Sequence, residues 1–395
     1  MTGMDEIRFI DLFAGIGGMR MGVMAAEPSA CCVFSCEIDP DVSCVYRDNF
    51  GAIPNGDITK IDPLAIPDHD LLCAGFPCQP FSTAGKRLGA RDPRGGLIYT
   101  VISIIAAKRP RGFILENVPS FATNGNGTLM DGFIRAMERH GYGVASVILD
   151  ATDFGIPQAR RRLFILGTDG SFGSLVPIRH GKAVFSDIME KGKPCVYSAL
   201  TAKLIKYGIG RLPGKRINDK RGGCSNIHSW DVRLRGDVTI KQKILLEKIM
   251  LERRKRRHNM PHKDGTALDA DTISRLAGRD TAADLAELAR MGYLRKKDGG
   301  YDINGGKLSY GFTHILDPRR PVPTLTATDA GRIGVVDGNG IRHLTSVECV
   351  RLMGIHDSYR FGAMPLSKIY KLIGNSVCVP CVKHCMEVVF NSWKK

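Results

Sequence analysis

The chain has 395 residues, enough for two or three domains and for a sizeable core built without disulfide staples. At 43% hydrophobic and 24% charged residues it excludes long disorder and fibrous structure, and its longest nearly apolar run, Leu97–Ala107, falls far short of the ~20 residues that cross a bilayer. The net charge of +16 favours a polyanionic partner, and Asp5 and Glu6 stand where a secretory leader would be basic.

In chain order, strands are predicted at Arg8–Phe13, Cys32–Cys36, Asp70–Ala74, Gly112–Glu116, Val144–Leu149 and Leu163–Gly167. Helices are predicted at Gly18–Ala26, Asp41–Phe50, Leu97–Ala107 and Leu129–His140. This alternation predicts an α/β fold, a mostly parallel sheet with helices on both faces. Beyond Thr168 the pattern turns irregular, basic and glycine-rich. Between Ser171 and Leu325 stand 31 Lys and Arg against 16 Asp and Glu, so one contiguous third holds nearly all the excess charge. It reads as a polyanion-binding module inserted into a neutral domain. The run Arg253–Arg257 follows the helical spacing of Ile240, Ile244, Leu245 and Ile249 and reads as the solvated end of a helix. The loops Pro213–Arg216 and Lys220–Gly223 suit a phosphate backbone, because glycine lets the main chain come close. A helix–turn–helix-like piece, Thr272–Ala277 then Ala282–Gly292, carries no recognised base-reading pattern. Order returns with a helix at Ser346–Met353 and a last segment from Ile369. Cys378, Cys381 and Cys385 lie among valines beside His384 and read as buried, reduced thiols, with no metal expected.

Three segments carry chemistry. Phe9–Gly18 is a strand running into a glycine-rich turn and a helix, where missing Cβ atoms let a ligand approach the helix N-terminus. Glu37, 19 residues beyond Gly18 at the end of the next strand, is placed to accept from ribose hydroxyls, and Asp57, read as ending a third strand, from an adenine amino group. Phe-x-Gly-x-Gly-Gly is not the dinucleotide fingerprint, so these residues alone suit S-adenosylmethionine as well as NAD. The deciding segment is Asp70–Ser82, where a strand ends in a loop at the carboxyl edge of the sheet. There Cys78, stiffened by Pro77 and Pro80, has the setting of a positioned nucleophile.

On Pro77-Cys78-Gln79-Pro80-Phe81-Ser82 the sequence resembles the DNA cytosine-5 methyltransferases of prokaryotes and phages, whose catalytic loop this is. Further family blocks follow in the family's order: Arg94–Leu97, Glu116–Pro119, Gln158–Arg162, Arg342–Gly354 and Gly374–Ser376. The resemblance covers roughly residues 7–170 and 320–395 and leaves out the basic middle, the family's variable target-recognition region. It implies a Rossmann-like catalytic domain over residues 1–172 and 326–395, with a smaller, irregular recognition domain over 173–325. It implies methyl transfer from S-adenosylmethionine, with S-adenosylhomocysteine as product, to C5 of a flipped-out cytosine in a specific duplex DNA sequence. Cys78 would add to C6, Glu116 would act at N3, and Arg162 would contact O2 with Arg160 supporting it. Phe13, Gly15, Gly17, Glu37, Ile38, Asp57, Ile58, Pro77, Leu97, Asn375 and Ser376 would line the cofactor pocket. Ile38 departs from the aromatic residue often found there. Gln79, Ser82, Lys86, Arg94 and Thr324 would meet DNA. A cytoplasmic, nucleoid-associated monomer is expected, with a cognate restriction endonuclease as functional counterpart. The rivals are an RNA cytosine methyltransferase, a catalytically silent DNA-binding relative and an NAD-dependent oxidoreductase; the last leaves Cys78 and the basic region without a role.

Overall fold

The computed structural model describes residues 6–77, 96–123, 127–169, 172, 181–254, 267–306 and 309–394. The first elements alternate as expected: β1 (Arg8–Leu12), α1 (Gly18–Ala26), β2 (Cys31–Cys36), α2 (Pro40–Phe50), β3 (Leu71–Ala74), α3 (Leu97–Lys108), β4 (Gly112–Asn117), α4 (Thr128–Arg139) and β5 (Gly143–Asp150), then β6 (Gln158–Ala159) and β7 (Arg161–Thr168). Local signals set the bounds. At α2, Asp39 accepts from the N–H groups of Asp41 and Val42, Pro40 opens the first turn, and Gly51 ends the helix at a φ of 73°.

The strands form one sheet in the order β2-β1-β3-β4-β7-β5. β1 to β4 are parallel, and β7 runs antiparallel to both β4 and β5. Residues alternate between its two faces. Ile10, Leu12, Leu72, Phe113 and Leu115 pack with Ile98, Ile104, Phe133 and Met137 on one side. Phe9, Leu71, Cys73 and Ile114 pack with Met19, Val23, Met386 and Val389 on the other. The winding reverses between β1 and β3, the place where open α/β sheets hold ligands at the carboxyl ends of the strands.

The chain divides into two compact units, residues 1–189, 319–330 and 345–395 in the first and 190–318 and 331–344 in the second. The second unit holds α5 (Ala199–Gly208), β8 (Arg216–Ile217), β9 (Asn226–Ile227), α6 (Ile240–Glu252), α7 (Ala270–Ala277), α8 (Ala282–Arg290), β10 (Leu294–Lys297), β11 (Gly300–Ile303) and β12 (His314–Ile315). After β13 (Val322–Pro323), which pairs with β6 in the first unit, it adds β14 (Ile333–Asp337) and β15 (Gly340–His343). The 331–344 hairpin, expected with the catalytic part, groups with the second unit because β14 pairs with β12. Where the sequence reads as largely irregular, the second unit has two separate cores. One lies around a five-stranded sheet ordered β15-β14-β12-β8-β9, the other among α6, α7, α8 and the β10–β11 ribbon. Arg253, read as solvated, is buried, with its Nε 2.9 Å from Asp302 Oδ1.

The first unit closes with α9 (Ser346–Arg351), α10 (Leu366–Asn375) and α11 (Val379–Trp393). The stretch Leu366–Trp393 is long and apolar enough to cross a membrane by composition, yet it is broken at Ser376. Cys381, Val382, Cys385, Met386, Val389 and Phe390 of α11 are buried in the core. Cys378, Cys381 and Cys385 are therefore core residues. A Cβ on Gly22 of α1 would overlap Val382, so glycine there lets α1 and α11 pack closely.

Candidate active site

A cavity of about 550 Å³ opens in the first unit at the carboxyl ends of β1, β2, β3 and β4. Its floor is the turn after β1. Phe13 adopts a left-handed φ of 56° and Gly15 a φ of 52°, so the chain doubles back under the cavity; a non-glycine residue held there is strained. Glu37 fixes the turn from the end of β2: its Oε2 accepts from Gly15 N–H and its Oε1 from Asp39 N–H, both at 2.9 Å. Each oxygen keeps a further lone pair with which to accept from a ligand hydroxyl.

Beneath the turn lies a polar group that sequence reasoning missed. Asp11 is fully buried in β1, and burial pushes its carboxyl up to about 8. Tyr46 donates to its Oδ2 at 3.4 Å, and Arg20 donates to the Tyr46 hydroxyl at 3.3 Å while stacking over Phe50 at 4.6 Å. An acid within an apolar strand reads as a strand residue until its burial is known.

The cavity wall contains Phe13, Gly15, Glu37, Ile38, Asp57, Ile58, Pro77, Leu97, Asn375 and Ser376 from the expected cofactor set. Gly17 is not in it; its Cα faces α2, where a Cβ would overlap the Phe50 ring. Asp57 does not end a strand. It caps a short 3-10 turn, its Oδ1 accepting from the Thr59 N–H and hydroxyl, and these bonds hold its carboxyl below the usual range. Ile38 is 71% exposed, an apolar side chain on an open wall, and Ile58 is buried in the core at the cavity's edge.

The reactive end of the cavity is built from β3, β4 and β7. Gly75, Phe76 and Pro77 leave β3 along the wall, and Asn117 Nδ2 donates to Phe76 O at 3.3 Å, tying this stretch to β4. Cys78, Gln79, Ser82, Lys86 and Arg94 lie outside the described residues. Glu116, at the end of β4, meets Arg162 of β7, with Nε 2.9 Å from its Oε1. Burial pushes the Glu116 carboxyl up, while the Arg162 and Arg160 charges pull it partly back.

Arg160, expected beside the chemistry, is itself buried and donates to three carbonyls: Leu325 O at 3.0 Å, Gly374 O at 3.1 Å and Ser376 O. Gln158 adds to this clamp, accepting from Leu325 N–H at 3.0 Å and donating to Leu352 O at 2.6 Å. The pair brings chain after the insert against the pocket, so Asn375 and Ser376 reach the cavity of a turn more than 350 residues earlier. Thr324, expected at DNA, donates its hydroxyl to Ala159 O at 2.5 Å.

These residues define an α/β protein with an open cavity at the carboxyl ends of its strands, ending at a partly buried acid–arginine pair. The family model for the C-5 cytosine-specific DNA methylases matches residues 7–391, and the chain belongs to that family. It is 40% identical to the Type II methyltransferase M.NlaIV of Neisseria lactamica over 97% of this chain and 99% of that one. It is 35% identical to M.BanI of Aneurinibacillus aneurinilyticus over 98% and 96%. Its fold resembles the solved Entamoeba histolytica methyltransferase EhMeth, with a TM-score of 0.59 at 15% identity over 99% of this chain. The protein is thus a DNA (cytosine-5) methyltransferase that uses S-adenosylmethionine, and its cavity fits that group: Glu37 and Asp57 could accept from hydroxyl and amino hydrogens, and Ile38, Ile58 and Leu97 could pack on a flat ring.

Proposed function

We propose that the protein methylates C5 of a cytosine turned out of a specific duplex sequence, through a covalent Cys78–C6 adduct, as the modification enzyme of a Type II restriction–modification system. The relatives named Type II methyltransferases support the last clause. The observation that carries the mechanism is the partly buried Glu116–Arg162 pair on the same cavity wall as Pro77, the residue before Cys78.

The cytosine ring is aromatic, and its C5 is a weak nucleophile. When the Cys78 thiolate bonds to C6, the ring loses aromaticity and electron density moves towards N3 and C5. Glu116, whose burial favours the protonated carboxyl, supplies a proton to N3; Arg162 holds the carboxyl through Oε1, its Nη1 donates to Arg161 O at 2.9 Å, and its Nη2 would serve O2. C5 then takes the electrophilic methyl group that S-adenosylmethionine supplies when bound, the methyl–sulfur bond breaking so that S-adenosylhomocysteine is the leaving group. Loss of H5 to a base then expels the thiolate, and N3 returns its proton to Glu116. A ring stacked in a duplex is closed to a thiol, so the base must leave the helix at a cost of a few kcal/mol, offset by DNA contacts.

Bisulfite sequencing of DNA from cells making the protein should show 5-methylcytosine at one recurring sequence. Cys78→Ala should abolish it while cofactor binding persists, and a 5-fluorocytosine duplex should trap the parent covalently. Near-normal turnover by Cys78→Ala would remove the nucleophile.

A further inference from the structure

The second unit contains a module that the methyl-transfer chemistry does not use. α6 is followed by a bridge at Leu268, then α7, α8 and the antiparallel ribbon β10–β11, and Leu268 pairs with Tyr301 at the ribbon's edge. Leu246, Ile249, Leu268, Ile273, Leu285 and Leu288 form a core of its own. Gly278, with a φ of 69°, opens the four-residue turn from α7 to α8, the length and composition of a DNA-binding helix–turn–helix. With the ribbon beside it, the order of elements is that of a winged helix.

We propose that this module is the sequence-reading element of the enzyme, with α8 entering the major groove and the β10–β11 ribbon lying along the adjacent phosphates. The proposal rests on the reading above that duplex DNA is the substrate. Leu285 and Leu288 hold α8 to the core, and Ala282, Ala283, Ala286 and Arg290, at i, i+1, i+4 and i+8, share its exposed face. Three alanines keep that face slim, so the helix can seat deeply in a groove about 12 Å wide, where a methyl group meets thymine methyls and an arginine pairs with guanine.

Charge favours nucleic acid over a protein partner. Most of the module's acids are engaged internally. Asp269 caps α7, Asp280 accepts from Ala282 N–H, Asp284 pairs with Arg279 at 2.6 Å, and Glu287 accepts from Gln242 at 2.7 Å. Asp302 lies buried in β11 between Arg253 and Arg295, which bolts the ribbon to α6. Arg290, Lys296 and Lys297 remain exposed on α8 and the ribbon. Lys297 also lies 3.8 Å from the exposed Asp298.

The test uses the full-length enzyme and a random-sequence 30-base-pair duplex pool, with bound DNA recovered and sequenced. The parent should enrich one sequence. Arg290→Ala should lose discrimination about 5- to 150-fold at one base pair of it while keeping the others. Ala283→Glu, a change at an exposed site, should abolish enrichment without moving the melting temperature. Lys296→Ala with Lys297→Ala should weaken all sequences alike and lower the slope of log affinity against log salt by up to about 2. Enrichment unchanged by Arg290→Ala and Ala283→Glu would overturn the proposal, and so would capture of RNA in preference to duplex. A parent that enriches a sequence but never methylates it would instead sink the substrate reading and leave the module's role standing.

Discussion

Glu116 is pulled two ways: burial favours its neutral form, and Arg162 at 2.9 Å favours its charged one. That balance suits a group that must lend a proton and take it back. Glu116→Gln keeps the shape and loses the transferable proton, and should lower the rate of methyl transfer by about 10²- to 10⁴-fold with little change in duplex affinity, as measured by single-turnover kinetics. An unchanged rate would take Glu116 out of the chemistry. Asp11 makes a prediction of opposite kind, about folding. Its folded value of about 8 lies above the ordinary 3.8, so between these the unfolded chain has released a proton that the folded chain keeps. Stability from this group is therefore full at acid pH and is lost as pH rises towards 8. Unfolding free energies from urea titrations at pH 5 to 8 should fall more steeply for the parent than for Asp11→Asn, by up to about 1.4 kcal/mol per pH unit. Parallel curves would mean that Asp11 stays ionised. Neither residue's environment can be read from the sequence: Glu116 was reached through a motif, and Asp11 looked like one acid in an apolar run.

Among the elements, the α/β alternation of the first 168 residues was legible because each strand and helix carries its own period. Predicted and observed bounds there differ by a residue or two, as α3 and β4 illustrate. Asp57 was misplaced because a capping carboxylate and a strand-ending one leave the same trace, an acid after a short apolar stretch. The clamp was illegible for another reason. Arg160 and Gln158 act on Leu325, Leu352, Gly374 and Ser376, and no local pattern records partners so distant in sequence. Because a guanidinium meets three carbonyls there, a lysine cannot replace it. Arg160→Lys should weaken S-adenosylmethionine binding and lower the melting temperature together, by calorimetry on the purified enzyme. Loss of rate with both quantities unchanged would move Arg160 into the chemistry itself.

For the molecule as a whole, charge was the most informative global signal. It sets residues 171–325 apart, a stretch that overlaps most of the second compact unit. Duplex affinity should fall steeply with salt, the slope counting phosphates neutralised; a flat response would separate the basic region from DNA. Its interior escaped the sequence reading because β8, β9 and β12 span two residues each, too few to show an alternation. The α7–α8 pair was visible, but the ribbon that completes it and the Leu268 bridge were not.

The seating of α11 against α1 has a consequence for how the protein is made. At ~5–20 residues per second, a ribosome needs roughly 20 to 70 seconds to pass from one helix to the other. Once made, Met19, Val23, Leu71 and Ile114 lack cover until Val382, Met386 and Val389 follow. The nascent sheet must wait with one oily side bare, a natural client for a chaperone. Asn375 and Ser376 of the cavity wall are also made late in that interval.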